Sequence, residues 1–186
     1  MKLYIKNMVC SRCKMVVKSE FEKLGLPTIS VELGEVELEK EISDEQKEVL
    51  LENLQVLGFD LIDDKKTKTV ERIKNLIVDL VHHKNNELKI NLSDYLAENL
   101  NQDYNSLSNL FSEIENTTIE KYFISQKIEK VKELLIYNEL SLSEIADILN
   151  YSNVAHLSNQ FKKITGFTPT SFKQSNDKKR IQIENL

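Results

Sequence analysis

The sequence predicts two unlike halves, an α+β unit of order βαββαβ followed by an all-α unit with two paired-helix motifs joined by a longer helix. Three observations predict this. Apolar and polar residues alternate in short runs before about residue 62, helical spacing of three and four takes over after the charged run Asp63 to Lys68, and one block of helical pattern then recurs. A chain of 186 residues allows one large domain or two small ones. With 30% charged and 40% hydrophobic residues, four glycines, two prolines and no tryptophan, composition argues against disorder, collagen and loop-heavy barrels.

Taken in order, Lys2 to Lys6 alternates Leu3 and Ile5 with polar neighbours, a short strand. Val16, Val17, Phe21 and Leu24 then follow helical spacing, and Gly25 stops the helix. In "TISVELGEVELE", Ile29, Val31 and Leu33 alternate, Gly34-Glu35 suits a two-residue turn, and Val36 and Leu38 alternate back as a hairpin. Ser43 with Gln46 forms a capping box for a helix whose apolar stripe is Val49, Leu50, Leu54 and Leu57, ended by Gly58. Phe59, Leu61 and Ile62 supply a last strand, which completes the split βαβ, ferredoxin-like plan. The domains expected are therefore 1–64, a linker at 65–68 within "DDKKTK", a helical domain at 69–175, and a basic tail at 176–186.

The helical half carries successive apolar stripes: Val70, Ile73, Ile77 and Leu80; Leu92, Tyr95, Leu96 and Leu100; Leu107, Leu110, Phe111 and Ile114. A longer one runs through Ile119, Phe123, Ile128, Val131, Leu134 and Leu135. "LSEIADILNYSNVAHLSNQFKKI" then repeats the layout of "LSDYLAENLNQDYNSLSNLFSEI": a short helix, a turn, and a second helix ending in an apolar-Phe pair. Leu107 to Phe111 and Leu157 to Phe161 agree at four of five places.

Ser141 with Glu144 caps the first helix of the second copy, Ala146 permits close approach, and Ser152 is the expected cap of its second helix. With Leu157 and Phe161 facing the core, Asn153, Ala155, His156, Asn159 and Lys163 fall on the outer faces, where such side chains can meet base edges or phosphates. In the first copy Asp103 is the expected cap, with Asn105, Ser106, Ser108 and Asn109 outward, no positive charge before Lys121, and Glu113 and Glu115 nearby, so its hold on DNA should be the weaker. The net charge of −5 opposes whole-molecule attraction to phosphate, but from Asn150 onward Lys162, Lys163, Lys173, Lys178, Lys179 and Arg180 face only Asp177 and Glu184. An all-α interaction domain with a merely solvated polar face is the alternative on composition alone.

The stretch "LSLSEIADILNYSNVAHLSNQFKKITGFTPTSFK" closely resembles the signature of the AraC/XylS family of bacterial transcription regulators, from about Thr69 to Gln174 and including Gly166-Phe167-Thr168-Pro169 and Phe172-Lys173. The resemblance implies two helix-turn-helix units on a linker helix near Ile119 to Ile136, with recognition helices in successive major grooves. It places the DNA-facing positions on Val154, Ala155, His156 and Asn159 in the second unit and on Asn105, Ser106 and Asn109 in the first. Asn150 and Asn116 stand where that family has glycine, and Ser112-Glu113 where basic residues are common.

Both cysteines lie in "NMVCSRCK", a spacing too close to staple a fold and suited to a metal or redox pair in a reducing compartment. With "LGF" at Leu57 to Phe59, it resembles the heavy-metal-associated domain of copper chaperones and metal-pumping ATPases, with Asn7, Val9 and Lys14 as departures. That resemblance implies Cys10 and Cys13 as ligands of a soft ion such as Cu(I), which two sulfurs suit. A helix N-terminus, Arg12 and Lys14 would favour thiolates, which serves metal binding and thiol oxidation alike; a structural remnant is the third reading. Adjacent His82 and His83 point about 100° apart on a helix and are read as an exposed helix end, not a metal site.

The expected function is a cytoplasmic, sequence-specific transcription regulator, not an enzyme, with Lys162, Lys163 and Lys173 on phosphates and the second recognition helix reading bases. Double-stranded DNA is its expected partner, with RNA polymerase as a second; no membrane is expected, since no apolar run approaches a bilayer span, and a monomer suffices for two grooves. No Walker loop, dinucleotide fingerprint or nucleophile-base set is present. The rival is a metal carrier or thiol oxidoreductase with a helical protein-interaction domain.

Overall fold

The structure, a computed structural model, describes residues 1–62, 65–84, 90–174 and 183, so the expected basic tail falls almost wholly outside the described residues. The chain divides into two compact units, Met1–Asn75 and Leu76–Leu186.

In the first unit the order is β1 (Lys2–Lys6), α1 (Ser11–Lys23), β2 (Thr28–Glu32), β3 (Glu35–Leu38), α2 (Asp44–Val56) and β4 (Asp60–Ile62). The strands form one antiparallel sheet in the order β2-β3-β1-β4, with Leu3 opposite Val36 and Ile5 opposite Leu61. Its core gathers Ile5, Met8, Val17, Phe21, Val36, Leu50 and Leu54, each fully buried. Each such side chain contributes roughly 1.5–3 kcal/mol. The Ser43-Gln46 capping box is present on both sides, so the start of α2 is set locally.

Four face assignments and one turn differ from the sequence reading. Ile29 is 62% exposed because the β2-β3 register shifts between Thr28 and Ser30 and leaves it outside the ladder. Val16, Val49 and Leu57 lie at the exposed margins of their helices, where Val17, Leu50 and Leu54 already fill the contact with the sheet. The hairpin turn is Leu33-Gly34 and not Gly34-Glu35: Glu32 pairs with Glu35, and Gly34 takes φ 77 at the second turn position.

The expected linker is also corrected. Lys65–Lys68 form the first turn of α3 (Lys65–Val78), and the division into units falls inside that helix. Three lysines and a threonine read as a solvated joint, yet charge is compatible with an exposed helical turn, and the helix is fixed further on by buried Val70 and Ile73. Lys68 Nζ lies 4.9 Å above the Tyr4 ring.

In the second unit a π-helical turn, Asp79–His83, continues α3. Then come α4 (Leu92–Leu100), α5 (Tyr104–Glu115), α6 (Ile119–Tyr137), α7 (Leu142–Ile148), α8 (Val154–Thr165) and α9 (Pro169–Gln174). Asn101, Asn116, Asn138 and Asn150 all take positive φ, between 51 and 58, at the ends of helical segments. Asparagine enters this region more readily than other residues with a Cβ, so it performs the stop that glycine gives elsewhere. Ile128, Val131, Ile145, Ala146, Leu149, Tyr151, Leu157, Phe161 and Phe172 make the core that joins α6 to α7, α8 and α9.

The π-helical segment does end at His83, which is exposed, but His82 beside it is half-buried. Its Nε2 lies 2.9 Å from Gln126 Oε1 on α6, and burial holds its imidazole down to about 4. α6 also buries Lys127, Glu129 and Lys132, which an apolar-stripe reading leaves outside; Glu129 and Lys132 pair with each other. Among the described residues no helix is long and apolar enough to cross a membrane.

Candidate nucleic-acid interface

Two helix pairs, α4-α5 and α7-α8, flank the 19-residue α6. In the second pair, the Ser141-Glu144 capping box opens α7 and Asn150, at φ 56, closes it. The backbone N–H of Tyr151 donates to Ala146 O at 2.8 Å, which turns the chain sharply toward α8. Leu157 and Phe161 are fully buried on α8, and Phe161 meets Phe172 of α9 ring to ring at 5.5 Å.

That packing fixes which side chains are left outward. Ala155, His156, Asn159, Lys162 and Lys163 are exposed, and Lys162 and Lys163 lie in the last turn of α8. Together they offer a small contact, an imidazole, an amide and two cations along one helix, the groups that base edges and phosphates accept. Lys173 on α9 is half-buried.

Two expected DNA-facing residues have other tasks. Val154 is half-buried and packs against the core, because its position completes the apolar side of α8. Asn153, rather than Ser152, is the cap: its Oδ1 accepts the His156 backbone N–H at 2.8 Å. Ser152 Oγ instead lies 3.1 Å from His156 Nδ1.

In the first pair, Asp103 caps α5 by accepting the Ser106 backbone N–H at 3.1 Å. Asn105, Ser106 and Asn109 are exposed, while Leu107 and Phe111 are buried like their counterparts in α8. No lysine or arginine lies between Tyr104 and Glu115. The Tyr104 hydroxyl donates to Glu120 Oε1, which holds that carboxyl below its ordinary value.

Sequence reasoning missed the support beneath α8. Tyr151, 5% exposed, donates its hydroxyl to Gln160 Oε1 at 2.7 Å, and its ring meets the His156 ring edge-on at 5.2 Å. Lys127 Nζ sits 3.8 Å from the centroid of the Tyr151 ring. The only sequence signal was a lysine within the stripe of α6.

In the first unit, Cys10 stands at the N-terminal boundary of α1 with no side-chain capping bond and Cys13 lies one turn in, with Sγ atoms 3.3 Å apart and both residues half-buried. Asn7, at φ 69, occupies the left-handed region that glycine would favour, and its Nδ2 donates to Gly58 O at 2.9 Å. Burial, then the Cys10 contact, pushes the Cys13 thiol up. Lys14 is engaged with Glu32 at 2.7 Å, so the expected thiolate-favouring surroundings are not what Cys13 has. Among the described residues no cluster of three or more His, Cys, Asp or Glu could hold a metal, so the pair fits only an ion content with two soft sulfurs.

Residues 96–175 match the family model of a helix-turn-helix domain. The uncharacterized HTH-type transcriptional regulator YtdP of Bacillus subtilis (strain 168) is 26% identical over 116 residues, covering 62% of this chain. The chain spans only 15% of that relative's length. Among solved structures, the C-terminal domain of AraT, a response regulator from Geobacillus stearothermophilus, is 24% identical with a TM-score of 0.51, covering 64% of this chain and 92% of that one. The C-terminal domain of the response regulator yesN from Fusobacterium nucleatum is 27% identical, with a TM-score of 0.47 over 55% of this chain and 98% of that one. The helical half therefore carries a helix-turn-helix domain, and it shares its fold with the first of these structures.

Proposed function

We propose that this chain is a sequence-specific DNA-binding transcription regulator of AraC type, with its output in the two helix pairs and its input in the N-terminal α+β unit. The observation that carries the reading is α8, whose buried Leu157 and Phe161 leave His156, Asn159, Lys162 and Lys163 exposed on a helix capped for insertion into a major groove. Lys162, Lys163 and Lys173 would meet phosphates, while Ala155, His156 and Asn159 read bases. α5, with Asn105, Ser106 and Asn109 and no cation, would read the next groove more weakly. In this reading double-stranded DNA is the primary partner and RNA polymerase, met at the promoter, the second.

The input reading rests on the sulfur pair. In a ferredoxin-like, heavy-metal-associated type of unit, Cys10 and Cys13 would hold one soft ion such as Cu(I), a metal that thiolate sulfur would suit. The 3.3 Å approach of the two sulfurs favours a second input as well, oxidation to a disulfide, in which a peroxide or an external disulfide takes up the two electrons and two protons. Either input regulates only if it favours one DNA-binding state over another.

Selection of bound duplexes from a random pool tests both parts, with wild type beside Cys10→Ser/Cys13→Ser, each with and without Cu(I). Enrichment of one motif, with binding that weakens steeply as salt rises, supports the regulator. Absence of any duplex preference favours the metal-carrier or oxidoreductase rival. One motif recovered with equal affinity in every arm removes Cu(I) as the signal and keeps the DNA reading.

A further inference from the structure

Lys127 on α6 is only 7% exposed, and among the described residues no carboxylate pairs with it. Burial of an ammonium without a counter-ion is unfavourable, and a methionine would fill the same space more easily. What the ammonium does meet is aromatic: the Tyr151 ring at 3.8 Å and the Phe123 ring at 5.5 Å.

Tyr151 in turn touches α8 at two points. Its ring packs on His156 and its hydroxyl bonds Gln160, four residues and about one turn further along the same face. A ring held at both its edge and its hydroxyl defines how α8 is rotated about its axis, provided the ring plane is itself fixed. An ammonium over the ring face supplies that restraint, because the attraction is strongest over the face and falls away as the ring tilts.

We propose that Lys127 is a positioning residue for DNA readout, which fixes the Tyr151 ring and through it the rotation of α8, so that His156 and Asn159 meet base edges in one register. The proposal rests on α8 being the recognition helix. It predicts a residue that adds specificity while weakening the fold: burial without an ion partner also brings the Lys127 ammonium down to about 8.

The test compares wild type, Lys127→Met and Lys127→Arg as full-length chains, for thermal melting and for affinity toward the selected duplex and a scrambled one. Lys127→Met is expected to melt at or above the wild-type temperature, to lose about tenfold in affinity for the selected duplex, and to keep its affinity for the scrambled duplex within about twofold. Lys127→Arg, which restores a cation over the ring, is expected to recover specific affinity to within about threefold of wild type. An unchanged specificity ratio in Lys127→Met overturns the proposal, as does a folded Lys127→Arg that rescues nothing. Failure of Lys127→Met to fold also overturns it, the cation then being a requirement of the core. A wild type without sequence preference fails earlier, at the parent reading, and is told apart by that arm alone.

Discussion

The Asn153 side-chain oxygen and the His156 backbone N–H, 2.8 Å apart, close the first turn of α8 at the end that would enter the groove. A residue expected to read DNA thus spends its acceptor on capping α8. Asn153→Ala is expected to cost about 1 kcal/mol of stability, measured by denaturant midpoint. Asn153→Asp keeps the cap and should melt near wild type, yet bind DNA less well because it sets a carboxylate near phosphate. Equal DNA affinity of wild type and Asn153→Asp at low salt would place this helix end away from the duplex.

Asn159 and the lysine pair should separate by kind of loss. Asn159→Ala is expected to cost about 1–3 kcal/mol toward the selected site and relax preference at one base position. Lys162→Ala should weaken all duplexes alike and lower the slope of log affinity against log salt by about one. Binding titrations at several salt concentrations, on selected and scrambled duplexes, distinguish the two.

His82 gives the helical unit an acid sensitivity. Its imidazole is held at about 4, against 6.5 for the free group, so the unfolded chain takes up the extra proton between those values. Stability then falls as pH drops from 6.5 toward 4, by about 3 kcal/mol at most from this group. His82→Gln cannot titrate, and its stability profile over that window should be flatter. Parallel profiles for variant and wild type would exclude His82 as the cause.

At the sulfur pair, burial raises the Cys13 thiol, so ion uptake must release a proton that is held more tightly than usual. Apparent Cu(I) affinity, measured by competition with a chelator, should therefore rise with pH through the range above the ordinary thiol value. Cys10→Ser and Cys13→Ser should each abolish uptake; retention of one ion per chain in either would remove the pair as the site.

What the sequence made legible was chiefly local. The boxes at Ser43-Gln46 and Ser141-Glu144 and the Asp103 cap depend on a few neighbouring residues, and the structure has each of them. Faces were harder: Val49 stands about 100° round the helix from Leu50 and so misses the sheet, and Leu57, the C-cap, lies just past the end of α2. Lys127, Glu129 and Lys132 were unreadable because periodicity assumes that charge faces water, whereas here an aromatic face and an ion pair take its place. The Ser152-for-Asn153 exchange is a slip of one residue between two good caps.

Asn150 offers a check on the local reading. Asn150→Ala, with a side chain that enters the left-handed region poorly, should cost about 1 kcal/mol, while Asn150→Gly should be neutral within about 0.5 kcal/mol because relief of strain offsets the freer unfolded chain. Thermal melting of the two variants decides it.

The glycines of the first unit resist a side chain for two different reasons: a neighbour at Gly34, and positive φ alone at Gly25 and Gly58. A Cβ at Gly34 would fall 2.0 Å from Asn75 Nδ2, which donates to Leu33 O, whereas nothing lies within 4 Å of one at Gly25 or Gly58. Replacing Gly34 by any residue with a Cβ would force the Asn75 amide off Leu33, so libraries built at codon 34 should be expected to return the parental glycine.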